Sequence, residues 1–302
     1  MGIRITSTMM SNQTLRNLNN NMNTMNDLNN QSSTGKKINK ASDDPVGTTY
    51  SLRYRAELNS NKQYQTNTDN AESWLNYSDT VMGQAGDIMT RIKELTTQAS
   101  TGTTESGGLT AISDELKELK KQLVDIGNSQ LTGKYIFNGQ QSETKPYQLS
   151  DSVTSYSNVA TDTGSITYGI SEQVSLGVST SGNDFFGSST DTDNVFSVID
   201  RLTTAMDSGD SSTVSSELDN IQSRATKMSA ARSEVGAKTN RVELVKSRLE
   251  DRELNVTTLQ SDVEDADISE VLIKTTTAQT IYQAALQTSA SVMKMSLVNF
   301  LS

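Results

Sequence analysis

The fold is decided by residues 213–263, which read TVSSELDNIQSRATKMSAARSEVGAKTNRVELVKSRLEDRELNVTTLQSDV. Apolar residues recur there at every seventh position: Val214, Ile221, Met228, Val235, Val242, Leu249, Val256 and Val263. A sustained seven-residue repeat is typical of a helix that packs lengthwise against other helices. Such a helix would be about 75 Å long at ~1.5 Å per residue, which predicts an elongated rod of long antiparallel helices.

The preceding half of the chain also carries helical patterns. Apolar residues follow helical spacing from Pro45 to about residue 100, and a second set alternates four and three apart: Ile112, Leu116, Leu119, Leu123 and Ile126. The run Lys134–Gly139 is typical of a strand that enters a turn. The sequence therefore predicts a mainly α fold with a short hairpin.

Residues 142–194 have a different composition. They contain one Lys, no Arg, and many Ser, Thr, Asp and Gly residues. Val174, Leu176 and Val178 alternate with polar residues, which is the two-residue period of a half-buried strand. This stretch predicts a small β-rich insert, with Phe185 and Phe186 as its core anchors.

Both ends of the chain carry an apolar helical stripe. On the first helix it comprises Leu15, Leu18, Met22, Met25 and Leu28; on the last it comprises Val271, Ala278, Ala285 and Val292, beside Leu297, Phe300 and Leu301. Burying these few apolar side chains returns less free energy than the backbone entropy that ordering each helix costs. In addition, Asn, which is abundant in the first helix, is a weak helix former. We therefore expect the terminal helices to pair in a coiled coil, to be disordered in the monomer, and to order on assembly through these residues.

These patterns predict three domains. Residues 1–44 and 264–302 form the terminal paired-helix assembly domain. Residues 45–141 and 195–263 form a helical rod domain with the short hairpin. Residues 142–194 form a small β-rich outer domain.

The composition disfavours most other classes of protein. The net charge of −10 disfavours nucleic acid as a partner. The sequence contains no run of 18 apolar residues, so we predict no membrane-spanning segment. The chain has no His and no Cys, so the commonest general base and the thiolate metal ligands are missing. We predict no catalytic, cofactor-binding or metal-binding residues, no cofactor and no enzyme. We interpret the acidic run at residues 262–267 as a solvated helix junction.

A polar stretch at residues 32–47, SSTGKKINKASDDPVG, resembles the N-terminal motif of the flagellin and hook-associated protein 3 superfamily. The motif residues are Gly35, Ile38, Asn39, Asp43, Asp44 and Pro45. Flagellins usually have Asp-Asp-Ala-Ala-Gly here, and Asp-Asp-Pro is closer to hook-associated protein 3. The run at 133–139, GKYIFNG, and the ends at 264–270, EDADISE, and 296–301, SLVNFL, are also similar to that family.

The resemblance implies a structural role in the bacterial flagellum, at the junction between hook and filament. Its implied partners are hook-associated protein 1 on the hook side, flagellin on the filament side, other copies of the chain in a ring, and a cytosolic export chaperone. It also implies an extracellular location after type III export without a cleaved signal peptide.

Two alternatives remain open from the sequence. One is a filament-forming flagellin, against which Pro45 and the SLVNFL ending argue. The other is a secreted adhesin, with the insert as its binding module and the helices as its stalk.

Overall fold

A computed structural model describes the backbone of residues 7–101, 106–149 and 155–301, and the side chains of residues 9–101, 107–149 and 155–291. The described helices are α1 (Ser7–Thr34), α2 (Pro45–Ser100), α3 (Ser106–Gly127), α4 (Gly182–Phe186), α5 (Val195–Ser208), α6 (Ser211–Glu264) and α7 (Ile268–Leu301). The strands are β1 (Gln130–Leu131), β2 (Lys134–Tyr135), β3 (Thr167–Ser171) and β4 (Val174–Gly177). The chain divides into two compact units, Met1–Ser60 with Arg252–Ser302, and Asn61–Asp251.

In the unit 61–251, α2 and α6 run antiparallel. Lys246 Nζ lies 2.9 Å from both Asp69 Oδ1 and Glu72 Oε2, whereas Lys93 near the end of α2 donates to Gln222 near the start of α6 at 2.5 Å. The α6 residues of the seven-residue repeat that lie in this unit are all buried: Val214, Ile221, Met228, Val235, Val242 and Leu249. The repeat therefore marks the core face of α6, as predicted.

Helices α3 and α5 pack against each other in the same unit. Lys120 of α3 donates to Asp200 of α5 at 2.5 Å. Helix α5 is capped at both ends: the Asn194 side chain accepts from the Phe196 and Ser197 amides, and Gly209 takes the left-handed conformation after the last turn. The apolar pattern of the sequence alone does not separate α5 from α6.

The described part of residues 142–194, which leaves out residues 150–154, forms a β-hairpin and short helical turns. Strands β3 and β4 pair antiparallel with a register shift between Gly169 and Ser171, and β1 pairs with β2. Phe185 and Phe186 are fully buried in α4, which confirms them as anchors. Their rings contact those of Phe137 and Tyr147, and the Phe185–Phe186 centroids are 4.9 Å apart. The ring of Phe196 in α5 lies 5.2 Å from that of Tyr147 and 5.7 Å from that of Phe186, so this aromatic cluster attaches the insert to a helix of its unit.

In the other unit, α1 packs along α7. The two helices meet where α1 ends and α7 begins, because Lys36 forms an antiparallel bridge with Asp265. The Ala266 amide donates to the Gly35 carbonyl at 3.0 Å, and the Lys37 amide donates to the Glu264 carbonyl at 2.7 Å. The chain therefore runs toward the junction in α1 and away from it in α7, so the terminal helices are antiparallel.

The mainly α fold with small strands and paired terminal helices is confirmed. The structure groups residues 142–194 with the helices that surround them, and its units divide after Ser60 and Asp251 rather than at 44 and 263. The three-domain organisation stays a prediction.

Candidate assembly surface

The loop between α1 and α2 folds around its own acidic residues. Gly35 ends α1 with φ +69°, a conformation that glycine adopts readily. The Asp43 carboxylate accepts the amides of Asn39 and Lys40 at 3.1 and 2.8 Å. The Asn39 side chain in turn donates to the Lys36 carbonyl at 3.0 Å. The conformation of Gly35 and the hydrogen bonds of Asn39 and Asp43 therefore shape the loop.

Asp44 caps the start of α2. Its Oδ1 atom accepts the amides of Val46 at 3.1 Å and Gly47 at 2.9 Å, and Pro45 takes the first helical position, where no amide hydrogen bond is lost. Gly47 is buried, and a Cβ there would lie 2.5 Å from Asp44 Oδ2 and 2.6 Å from Ile38 Cδ1. Ile38 and Asp44 therefore lie so close to the start of α2 that only glycine fits at position 47.

Glu264 lies at the centre of the junction, with a side chain 2% exposed. Arg55 donates to it from Nε at 2.8 Å and Nη2 at 2.7 Å, and Lys36 donates from Nζ at 2.7 Å. Gln260 donates at 3.0 Å, and the Ser51 hydroxyl also donates. The Arg55 guanidinium, aided by Lys36, Ser51 and Gln260, holds the pKa of Glu264 far below its usual value despite its burial. We call these five residues the junction cluster.

The interpretation of residues 262–267 as wholly solvated was therefore wrong for Glu264. Asp262, Asp265 and Asp267 are exposed, and Asp267 caps α7 by accepting the amides of Ser269 and Glu270 at 2.8 and 3.2 Å. Glu264 is buried because cations from the α1–α2 loop and from α2 converge on it. A lone acidic run gives no sign of this, since the cations are more than 200 positions away.

The seam between α1 and α7 is mostly small and polar. On α1, the half-buried positions recur three and four apart and comprise Ser11, Thr14, Leu18, Asn21, Met25 and Leu28. On α7, the covered positions recur in the same way and comprise Val271, Thr275, Ala278, Tyr282, Ala285 and Ser289. This three–four spacing is that of a coiled-coil seam. The seam holds the helices together with little buried apolar surface.

The predicted stripe of α1 is divided between the seam and one edge. Leu18, Met25 and Leu28 enter the seam, whereas Leu15 and Met22 follow the seam positions Thr14 and Asn21 by one residue and stay 43% and 40% exposed. The reason is that Ser11, Thr14 and Asn21 occupy seam positions that an apolar pattern does not reveal.

A matching row lies on α7. Leu272 and Leu286 follow the seam positions Val271 and Ala285 by one residue, and both remain exposed. In an antiparallel pair, the positions that follow equivalent seam residues lie along the same edge of both helices. We call Leu15, Met22, Leu272 and Leu286 the apolar flank. It leaves four large apolar side chains in water, which is typical of a protein contact surface.

The remaining predicted interface residues fall into two groups. Val271 is buried in the seam, and Ala278 and Ala285 are half-buried there. The side chains of Val292, Leu297, Phe300 and Leu301 lie outside the described residues. The predicted assembly role of the whole set stays a prediction.

The described residues offer neither a membrane span nor a metal site. No helix in the described ranges is long and apolar enough to cross a bilayer. Within the same ranges, no group of three or more Asp, Glu, His or Cys residues is placed to hold a metal ion.

Two family models match the chain. Residues 5–142 match the bacterial flagellin N-terminal helical region, and residues 218–301 match the bacterial flagellin C-terminal helical region. Together the models include α1, α2, α3 and α7 and most of α6, and they leave residues 143–217 between them.

Relatives of two names align over most of the chain. The flagellar hook-associated protein 3 of Escherichia coli (strain K12) is 25% identical over 309 residues, which cover 93% of this chain and 96% of that protein. The flagellin of Halalkalibacterium halodurans is 25% identical over 270 residues, covering 89% and 88%. The crystal structure of flagellar hook-associated protein 3 from Legionella pneumophila superposes with a TM-score of 0.63 at 14% identity, covering 70% of this chain and 98% of that one.

Proposed function

The chain belongs to the flagellin and hook-associated protein 3 superfamily, and from this premise we propose that it is a structural adaptor of the bacterial flagellum. In this role it joins the hook to the flagellin filament. The observation that carries the proposal is the apolar flank on a terminal helix pair that has little apolar seam of its own, in a chain that aligns over 93% of its length with a hook-associated protein 3.

The seam supports an assembly role on energetic grounds. Ordering each residue of α1 and α7 costs about 1–2 kcal/mol of backbone entropy. The large apolar residues of the seam are few, chiefly Leu18, Met25, Leu28 and Val271. The Ser, Thr, Asn and Ala positions between them return little hydrophobic free energy, because burial contributes in proportion to apolar area. Covering Leu15, Met22, Leu272 and Leu286 with a neighbouring copy would add the apolar burial that the pair lacks.

The finer assignments follow from the family. We propose hook-associated protein 1 as the partner on the hook side, flagellin on the filament side, and other copies of this chain in a ring. A cytosolic chaperone would hold the C-terminal helix before type III export without a cleaved signal peptide, and the protein would then act outside the cell. The relatives that align with the chain bear the names of flagellar structural proteins, which supports a non-enzymatic role.

Deletion of the gene tests the adaptor role. We expect cells that build hooks without filaments and that lose flagellin to the medium. Normal filaments in the deletion strain would refute the proposal. Electron microscopy of the cells and immunoblotting of the medium measure both outcomes.

The flank is tested by a matched pair of variants. Leu15→Ser with Met22→Ser should abolish filament attachment and leave the unfolding of the monomer unchanged, because both side chains are already exposed. The control is Asn17→Ser with Thr24→Ser, which changes polar residues one position before the seam residues Leu18 and Met25, along the opposite edge of α1. If filaments attach equally well in the flank variant and in the control, the flank is not the contact surface.

A filament subunit is the second candidate, since the flagellin of Halalkalibacterium halodurans aligns over 89% of the chain. If the protein is an adaptor, the purified protein should not polymerise by itself into long filaments. Self-polymerisation into long filaments would favour the flagellin role.

A further inference from the structure

The α1–α2 loop carries an outward positive charge. Its two acidic residues, Asp43 and Asp44, accept backbone amides of the loop and of α2, and Lys36 is bound to Glu264. Lys37 and Lys40 are exposed, and neither lies within ion-pair distance of a carboxylate in the described part of the chain. We call these two lysines the basic side of the junction.

The α6–α7 turn carries the opposite charge. Asp262 and Asp265 are exposed, and neither is paired with a Lys or Arg among the described residues. The Asp265 carboxylate accepts a hydrogen bond from the Ser261 hydroxyl at 2.6 Å. We call Asp262 and Asp265 the acidic side.

The two sides belong to one joined structure and yet do not neutralise each other. The backbone hydrogen bonds from Lys37 to Glu264 and from Ala266 to Gly35 tie the loop to the turn. The junction cluster fixes the same two segments through the Glu264 carboxylate. Two lysines and two aspartates thus lie on the two segments that meet at the junction, and none of them has an ion-pair partner among the described residues.

We infer that the basic side of one copy binds the acidic side of the next copy around the ring. A ring is closed by head-to-tail contacts, in which two different patches of each copy meet, and this requires two complementary surfaces on every copy. The junction supplies both surfaces with matched charge. Complementary charge fixes the register of neighbours and speeds their encounter, even where each exposed ion pair adds little affinity. The inference rests on the proposed function, since it assumes that copies assemble side by side.

Charge reversal in mixed populations tests the inference. One variant carries Lys37→Glu and Lys40→Glu, and the other carries Asp262→Lys and Asp265→Lys. Each alone places like charges at every contact between copies, and we expect about a tenfold loss of hooks that bear filaments. Cells that express both variants should recover filaments, because unlike copies can alternate in the ring.

Two further measurements examine the folding of the variants and the contact between copies. The purified monomer of each variant should unfold like the parent, since none of the four side chains makes an ion pair within the described chain. On flagella isolated from cells with the unchanged protein, a carbodiimide should join Lys37 or Lys40 of one copy to Asp262 or Asp265 of another. The link between copies is recognised as a product of twice the monomer mass, whose joined residues mass spectrometry then identifies. Filaments on each variant alone, failure of the mixture, or flagella without these cross-links would overturn the contact. The last result would leave the adaptor role intact, whereas normal filaments in the deletion strain would refute that role itself.

Discussion

The Arg55 guanidinium donates two hydrogen bonds to the Glu264 carboxylate, at 2.8 and 2.7 Å, across 209 positions of sequence. The pair connects the first turns of α2 to the last turn of α6. Lys36, from the loop that follows α1, shares the same carboxylate. A single acidic side chain therefore joins the segments that lead into both terminal helices, and its loss should loosen both.

Replacing Glu264 tests this connection. Glu264→Gln keeps the shape but removes the charge, and we expect a loss of about 1–3 kcal/mol in the free energy of unfolding. The loss should stay below that of a fully buried pair, because water can solvate the partly exposed Arg55 and Lys36. Denaturant unfolding measures it. Glu250→Gln, on an exposed position of the same helix, is the control and should change little.

Acid should weaken the fold through two carboxyl groups. Burial opposes ionisation of Asp193, but Lys227, Ser223 and Arg224 outweigh it and lower its pKa to about 2, and the pKa of Glu264 is also lowered, chiefly by Arg55. A depressed folded-state pKa gives stability that is complete above the unfolded pKa and lost as the pH falls through the folded one. Thermal unfolding should therefore shift downward between about pH 5 and pH 2. The same shift in Glu264→Gln as in the parent would remove Glu264 from this account.

Two glycines of α2 should respond in opposite directions. Gly47→Ala places a methyl group 2.5 Å from Asp44 Oδ2 and 2.6 Å from Ile38 Cδ1, and we expect a destabilisation of about 1–3 kcal/mol. Gly86→Ala meets nothing within 4 Å and should stabilise the helix by about 0.5–1 kcal/mol. Denaturant unfolding of the two variants compares them directly, and an equal effect would contradict the crowded helix start.

Arg224 is the largest buried cation of the unit 61–251, with a side chain 1% exposed. It donates to the Asp193 carboxylate and, from Nε at 3.0 Å, to the Asp193 carbonyl. Arg224→Ala leaves the buried Asp193 with Lys227 and Ser223 alone, and we expect a loss of about 3–5 kcal/mol. Arg241→Ala, exposed on the same helix, should cost much less. Similar losses in both variants would show that the buried pair contributes little.

Hydrophobic periodicity predicted those helices in which apolar residues recur at a regular spacing. The apolar repeat of α6 marked its buried face, and the helical spacing that begins at Pro45 marked the start of α2. Helix α5 was not separated, although Asn194 and Gly209 carry the cap signals at its two ends. Its apolar residues lie directly before the start of α6, so the pattern alone shows no clear boundary.

The candidate surface could be predicted only in part. The apolar stripe of α1 was evident, but its division into seam and flank depends on Ser11, Thr14 and Asn21 facing α7, and polar residues give no hydrophobic signal. The junction cluster was missed because its members come from three separate segments. Lys36, Arg55 and Glu264 meet only once α2 and α6 lie side by side, and no local pattern encodes that meeting.

Hydrogen exchange of the amides in α1 and α7 measures whether the terminal helices gain their order from each other and from neighbouring copies. We expect these amides to exchange rapidly in the purified monomer, while amides in the core of residues 61–251 stay protected, and we expect α1 and α7 to become protected in isolated flagella. Protection of α1 and α7 in the monomer equal to that of the core would contradict this expectation.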